Sequence, residues 1–132
     1  MRYLLDTHVF IWSVLNTKKI SEKVLNILED SNQQIFVSAV SFWELSLKYS
    51  IGKLNLNLLK PEMFPSIALD MNYKNLPLSV EESSSFHTLE GGWHKDPFDR
   101  MLIVQAMENN LTLITKDENI AKYAQEGLKV IW

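Results

Sequence analysis

Short, continuously apolar runs alternate with helical stretches along this chain, and that alternation admits few folds. Tyr3-Leu4-Leu5 is one such run, ending at Asp6. Ile35-Phe36-Val37 is a second, ending near Ser38; Leu111 to Thr115 is a third and Lys129 to Trp132 a fourth. Runs this short and this apolar suit strands covered on both faces, the condition of a parallel sheet. Between them the spacing predicts helices. Thr7 to Asn16 carries Val9, Phe10, Trp12 and Leu15. Ser21 opens a second helix with Val24, Leu25 and Leu28 on one stripe, and Ser41 to Ile51 forms another, stopped by Gly52. Leu54, Leu56 and Leu58 alternate with polar residues in an extended piece or a loop. Pro61 begins a helix through about Met71, kinked or delayed by Pro65. Leu76 to Leu78 is a candidate strand and Val80 to Leu89 a helix. Pro97 to Asn109 is the strongest helix, and Glu118 to Gln125 the last, stopped by Gly127. This order predicts an α/β architecture, helices on both faces of a short-stranded parallel sheet. Such sheets place ligands beyond the C-terminal ends of their strands.

A chain of 132 residues fits one domain, 1–132. It has no cysteine, which excludes disulfides, zinc fingers and thiol chemistry. Thirteen basic against sixteen acidic residues give a formal charge of −3, which rules out a strongly cationic nucleic-acid coat but leaves room for a local basic patch. No apolar stretch approaches the ~18 residues of a membrane helix. Arg2 followed by apolar residues looks like the start of a signal peptide, but Asp6 and His8 interrupt it, and a cytoplasmic protein is expected. No glycine-rich phosphate loop occurs, so nucleotide-driven motors and kinases find no support.

Acidic residues fall where such a fold builds sites. Asp6 follows the first strand, Glu44 lies in the first turn of the predicted helix from Ser41, Asp99 in the first turn of the strongest helix, and Asp117 just beyond the third strand. Asp96 is a fifth candidate. Each has a local explanation. Ser41-Phe42-Trp43-Glu44 spells a capping box, Asp96-Pro97-Phe98-Asp99 a good helix start, and Asp117 a cap for the helix at Glu118. Together they say more. Two unit charges ~4 Å apart repel by about 4 kcal/mol at an effective dielectric near 20. If the strand ends converge, the cluster needs protonation or a cation, and oxygen ligands favour Mg²⁺ or Mn²⁺. Metal-assisted hydrolysis of a phosphodiester is the chemistry this suggests.

These residues also carry a resemblance. Leu4-Leu5-Asp6-Thr7-His8 resembles the opening of PIN-domain proteins, and Val37-Ser38-Ala39-Val40-Ser41-Phe42-Trp43-Glu44 their second motif. His94 to Ala106, with Asp96-Pro97-Phe98-Asp99-Arg100 at its centre, is the most specific match, and Leu113-Ile114-Thr115-Lys116-Asp117 completes the set in family order. The nearest subgroup is the toxin half of bacterial type II toxin–antitoxin pairs, the VapC-type ribonucleases. The resemblance implies a three-layer α/β/α PIN-like domain and a Mg²⁺- or Mn²⁺-dependent endoribonuclease. It assigns Asp6, Glu44, Asp99 and Asp117 as catalytic metal ligands, with Asp6 and Asp99 the firmest. Asp96 is given a supporting role, and Ser41 and Thr115 are expected to hydrogen-bond site carboxylates. Arg100 is expected to form an ion pair. The resemblance further implies an RNA substrate, a homodimer, and a cognate antitoxin covering the cleft, for which Ile51, Leu54, Leu56, Leu58 and Leu59 are candidate groove walls.

Several surfaces stay open. Lys48, Lys53, Lys95, Arg100 and Lys116 flank the acids and offer cations to RNA, although a solvated face is the commoner role of such lysines. Phe42, Trp43, Trp93 and Phe98 offer rings for base stacking, with packing the commoner job. Three rival readings remain: a metal-free acid–base pair among His8, His87 and His94; a phosphoacceptor receiver domain; and a binding module whose acids only cap helices. A PIN nuclease of RNA processing outside a toxin pair is a fourth alternative.

Overall fold

Five parallel strands form one sheet, in the order β3-β2-β1-β4-β5, in the computed structural model, which describes residues 1–132. The strands are β1 Arg2–Leu5, β2 Gln34–Ser38, β3 Lys74–Leu76, β4 Thr112–Ile114 and β5 Val130–Ile131. The helices are α1 Thr7–Leu15, α2 Glu22–Glu29, α3 Ala39–Ser50, α4 Phe64–Asp70, α5 Val80–Ser85, α6 Pro97–Glu108 and α7 Glu118–Ala121. A 3-10 turn at Pro61–Met63 leads into α4, one at Phe86–Thr88 extends α5, and one at Lys122–Glu126 extends α7. The expected α/β/α layering is what forms.

β1 is the central strand. Leu4 lies opposite Phe36 of β2 on one side and Leu113 of β4 on the other. Successive side chains of a strand point to opposite faces, and the core divides accordingly. Tyr3 and Leu5 join Val9, Phe10, Val37, Leu45, Phe64 and Ile114 on one face. Leu4 joins Val40, Leu102, Ile103, Ala106, Leu113 and Tyr123 on the other. Because β1 is covered on both faces, its apolar run is unbroken, and the chain turns polar only at Asp6, where the strand ends.

Helix starts follow from capping. Asp6 caps α1, Ser21 caps α2, Ser38 caps α3, Asp96 caps α6 and Asp117 caps α7, each by accepting from backbone amides of the first turn. Two boundaries differ from the sequence reading. α3 begins at Ala39 under a Ser38 cap, so Ser41 lies inside the helix and Ser41–Glu44 is not a capping box. The box in this fold is Ser79–Glu82, at the start of α5. β3 ends at Leu76 instead of starting there. Pro77 follows it and has no N–H to donate to a ladder.

The loop leucines divide. Leu56 is fully buried, Leu54 and Leu59 pack against the core, and Ile51 and Leu58 are exposed. These five therefore do not form one apolar wall. A buried polar network ties the sheet to the helices. Ser38 Oγ bonds Gln105 Oε1, Gln105 Nε2 donates to Pro77 O (3.2 Å) and Glu82 Oε1 (3.0 Å), and Asn109 Nδ2 donates to Glu82 Oε2 (2.7 Å).

Gly91 holds the segment between α5 and α6 in a left-handed conformation, φ +92°, and a Cβ there would lie 2.3 Å from the Trp93 ring. Gly91→Ala should therefore cost about 1–3 kcal/mol from backbone strain alone, and ring displacement adds to it. Urea unfolding measures the loss; an unchanged midpoint would mean that this turn relaxes freely.

Candidate active site

Three helix caps bring their carboxylates to one edge of the sheet. Asp6 follows β1 directly, and its amide still pairs with Ile114 O of β4 at 3.0 Å. Its Oδ1 accepts from Val9 N–H at 2.8 Å, while Oδ2 accepts from Thr115 Oγ1 at 2.5 Å. Thr115 Oγ1 in turn accepts from Asp117 N–H at 3.0 Å. Asp117 spends Oδ1 on the amides of Asn119 and Ile120 (2.8 and 3.2 Å), which leaves Oδ2 3.0 Å from His94 Nε2. Asp96 Oδ1 accepts from the amides of Phe98 and Asp99 at 2.8 and 3.3 Å. Asp99, in the first turn of α6, presents Oδ2 to the same His94 Nε2, again at 3.0 Å. For Asp6 and Asp117 capping and convergence are thus not rival explanations, because the cap bond is what holds the carboxylate in place.

Asp6, His8, Trp12, Asp99, Lys116 and Asp117 line a cleft of about 340 Å³. Glu44 does not line it. This residue is buried in α3, with Oε2 bound by Lys48 Nζ one turn further on, and its Oε1 is buried without a partner. Its charge nevertheless reaches Asp99. Burial, then repulsion from Asp96, Glu44, Asp6 and Asp117, push the Asp99 carboxyl up to about 8. Burial also raises Asp6, against the opposing bonds from Thr115 and Val9 and the charge of His8, with Asp117 adding to the rise.

The donors fit a divalent cation. One ligand atom each from His94, Asp99 and Asp117 lie within 4.8 Å of one another. Neighbouring ligands of an octahedral ion with bonds of ~2.1 Å stand about 3 Å apart, the spacing seen here between Nε2 and each carboxylate oxygen. Asp6 lines the same cleft, and Glu44 Oε1 is buried outside it with no hydrogen-bond partner. Oxygen donors dominate, which suits a hard ion.

His94 entered the sequence reading only as one of three candidate acid–base histidines. Its place in the matched segment, two residues before Asp96, was the available signal. Asp96 N–H donates to its Nδ1 at 3.2 Å. Of the other histidines, His8 lines the cleft, whereas His87 is exposed and bonded to Ser84 O.

Arg100 makes no ion pair, contrary to expectation. Its guanidinium donates to Gly91 O (2.8 Å), His94 O (3.1 Å), Leu89 O (2.8 Å) and the Tyr123 hydroxyl (2.8 Å). Tyr123, fully buried, also accepts from His94 N–H at 3.2 Å and donates to Gly91 O at 2.9 Å. The segment carrying His94 is therefore clamped by one cation and one phenol. Ser41 is a second correction: its hydroxyl accepts from Thr7 Oγ1 (2.9 Å) and reaches no carboxylate. Thr115 does what was expected of it. Among the aromatics, Phe42 packs on Phe10 and Trp93 on Tyr123, and Phe98 meets Trp43, which stays 60% exposed. Lys116 lines the cleft, whereas Lys53 and Lys95 are exposed outside it.

The PIN domain family profile matches residues 3–126. This chain belongs to the PIN domain family. Ribonuclease VapC22 of Mycobacterium tuberculosis is 22% identical over 129 residues, covering 98% of this chain and 97% of that protein. Among solved structures, VapBC2 from Rickettsia felis bound to a DNA fragment from their promoter superposes with a TM-score of 0.63 at 20% identity, covering 99% of this chain and 98% of that one. VapBC-1 from nontypeable Haemophilus influenzae gives 0.62 at 20% identity, covering 99% and 97%. At such identities the structural likeness establishes the fold. No helix is long and apolar enough to cross a membrane.

The charge cluster has a stability consequence. A carboxyl that holds its proton more tightly folded than unfolded stabilises the fold fully only below its ordinary value of 3.8. That contribution is lost progressively as pH rises toward about 8. Asn keeps an oxygen for His94 and carries no charge. In metal-free buffer, Asp99→Asn should therefore have the higher Tm at neutral pH, with a gap that widens from about pH 4 to about pH 8. Scanning calorimetry across that range decides it; equal Tm values throughout would contradict the repulsion.

Proposed function

We propose that this PIN-domain protein is a metal-dependent endoribonuclease and the toxin of a toxin–antitoxin pair. The observation that carries the reading is the meeting of Asp6, Asp99 and Asp117 in one cleft, with Glu44 buried beside them. Four carboxylates drawn together from β1, α3, α6 and the β4–α7 turn have no structural purpose that would repay their repulsion. A phosphodiester and its cation give them one.

Asp6, Asp99 and Asp117, with His94 beside them, would hold a Mg²⁺ or Mn²⁺ ion. A divalent ion in such a cradle supplies charge stabilisation to a phosphate and acidity to a water. The chain's own groups do the rest. Thr115 and the α1 amide of Val9 fix both oxygens of Asp6, so that carboxylate cannot rotate away. Glu44, buried off the cleft with Oε1 unpartnered, adds its charge beside Asp99. The water oxygen would bond to phosphorus in line as the bond to the departing ribose oxygen breaks, the water's proton passing to a cleft carboxylate and the ribose oxygen taking a proton from solvent. Lys116, exposed on the cleft wall, offers a cation to a neighbouring phosphate, and Trp12 and His8 offer ring surface to an unstacked base. Single-stranded or looped RNA is the form of substrate such a rim accepts.

The names of the relatives support the toxin reading: one is a ribonuclease, and two are VapBC assemblies. A cognate antitoxin, a homodimer and a cytoplasmic setting belong to the same proposal. Cleavage of a mixed RNA pool tests it, in Mg²⁺ or Mn²⁺ and in EDTA. Wild type should cut only with the ion, and Asp6→Asn and Asp99→Asn should each lose at least about 10²-fold in rate, the scale of losing one preorganised charge-stabilising group. Cutting that survives EDTA, or full activity in either variant, would sink the assignment.

A further inference from the structure

Trp12 faces two ways. It lines the acidic cleft with His8, and it packs on the outside of the core face that holds Phe10 and Phe64. Those two phenylalanines are fully buried, whereas Trp12 and its neighbour on that face, Trp132, are only half-buried. The two indoles meet edge to face, with centroids 6.2 Å apart and planes at 66°. Lys19 is exposed in the 3-10 turn Thr17–Lys19 that follows α1, and its ammonium stands 5.7 Å from the centroid of the Trp12 ring. That is within reach of a cation–π contact. Packing alone does not require this arrangement. A ring needed only for the core would be covered, and would have no use for an ammonium.

The sheet sets where these rings lie. β4 and β5 pair with Ile114 opposite Ile131, and Thr115 N–H donates to Ile131 O at 3.2 Å. The residues after the strand ends therefore follow one another along a single edge: Asp6 after β1, Thr115 after β4 and Trp132 after β5. Neighbouring strands are ~4.8 Å apart, so the Trp132 backbone stands roughly 10 Å from that of Asp6. Lys116, exposed on the cleft wall, follows Thr115 directly. On the β5 side the cleft thus continues into a surface that carries two open rings and two lysines. A single strand of nucleic acid needs both, a π-face for its bases and cations for its phosphates. Trp43 on α3 is more exposed than either of these indoles, but its pocket is lined by Phe86, Phe98, Met101 and other uncharged groups, with no cation among them.

We propose that the substrate path leaves the cleft over Trp12 toward Trp132, and that these rings, with Lys116 and Lys19, form a base-stacking subsite for nucleotides flanking the scissile bond of single-stranded RNA. This rests on the reading above that the cleft takes RNA. Trp12 receives the base nearer the cleft and Trp132 the next, while the two lysines hold the phosphates. Every base has a π-face, so a subsite of this kind grips the strand without reading its sequence.

The test reads binding in EDTA, apart from cleavage. A short oligoadenylate is titrated against the whole protein, followed by the anisotropy of a labelled strand and by indole emission with an unlabelled one. Wild type should bind with a fall in emission. Trp12→Leu and Trp132→Leu should each weaken binding at least about fivefold, the low end for removing one stacked ring. Lys19→Met should lower the slope of log affinity against log salt by about 0.7, the share of one phosphate contact on a single strand. Trp43→Leu should bind as wild type does. No binding by wild type, or binding without a fall in emission, overturns the proposal. So does wild-type affinity in both Trp12→Leu and Trp132→Leu, which would leave the rings to a protein partner, and so does an equal loss in Trp43→Leu. If the Trp12 and Trp132 variants do not fold, wild-type emission and the Lys19→Met slope still decide, and an unchanged slope overturns it. A strand gripped in this way but never cut in Mg²⁺ or Mn²⁺ would instead overturn the nuclease reading, a failure distinct from a missing subsite.

Discussion

The structure depends on how Asp6 is held. Its two oxygens are bonded in different directions, Oδ1 to the first turn of α1 and Oδ2 to Thr115 beyond β4. That single side chain joins the central strand, the helix that follows it and the neighbouring strand at the sheet's C-terminal edge. Parallel strands all end at this edge, and most continue into a helix whose first amides need an acceptor. Acidic residues are good caps because the helix dipole favours negative charge there. The topology that requires caps therefore also gathers carboxylates. Magnitudes show why gathering has a chemical outcome. Each cap–dipole interaction stabilises by about 0.3–1 kcal/mol. A pair of carboxylates within 4.8 Å, as at Asp99 and Asp117, repels by about 3–4 kcal/mol at an effective dielectric near 20. The caps position the charges but cannot neutralise them. The remainder falls on Asp99, where burial and then its acidic neighbours push the carboxyl up to about 8.

Compensation elsewhere is specific. Arg100 sits one residue from Asp99, yet its charge is spent on the carbonyls of Leu89, Gly91 and His94. A guanidinium used in this way acts as a bracket for irregular backbone, which cannot satisfy its own carbonyls as a helix does. Tyr123 completes the bracket from the turn after α7. Lys48 does the opposite and spends its charge on a buried acid. Two cations near one cleft thus have unrelated duties, and only their partners distinguish them.

Much of this was legible in the residues. The run Tyr3-Leu4-Leu5 followed by Asp6, the string Asp96-Pro97-Phe98-Asp99 and the break at Gly127 each state a local preference strong enough to survive folding. The alternation of strands and helices was sufficient for the layers. Ser41 was misread because Ser38 competes for the same cap, and a cap is chosen by where β2 lets go of the sheet, a tertiary matter. β3 was displaced because its residues, Lys-Asn-Leu, have little strand preference and pair only through β2. Arg100 was expected to find a carboxylate since Asp96 and Asp99 are near in sequence, but the guanidinium points back to the segment before α6, and no local pattern encodes that. His94 and Lys48 needed the fold: one is brought to Asp117 across 23 residues, and the other acquires meaning only when Glu44 is buried.

The two halves of the cleft are built to different standards of rigidity. Asp6, Thr115 and Asp117 are fixed by main-chain ladder bonds of β1 and β4 and by caps, so their spacing can change only if the sheet does. Asp99 is fixed by α6, but His94 rides on the segment from Leu89 to Asp96, which contributes no strand or helix of its own. Its position rests on Arg100, Tyr123 and the left-handed turn at Gly91. The imidazole is thus held by side-chain bonds to irregular backbone, whereas Asp6 and Asp117 opposite are held by a sheet bond and helix caps. Adjustment to an ion or a phosphate is therefore expected on the His94 side, with Asp6 as the fixed reference against which the reacting atoms are aligned.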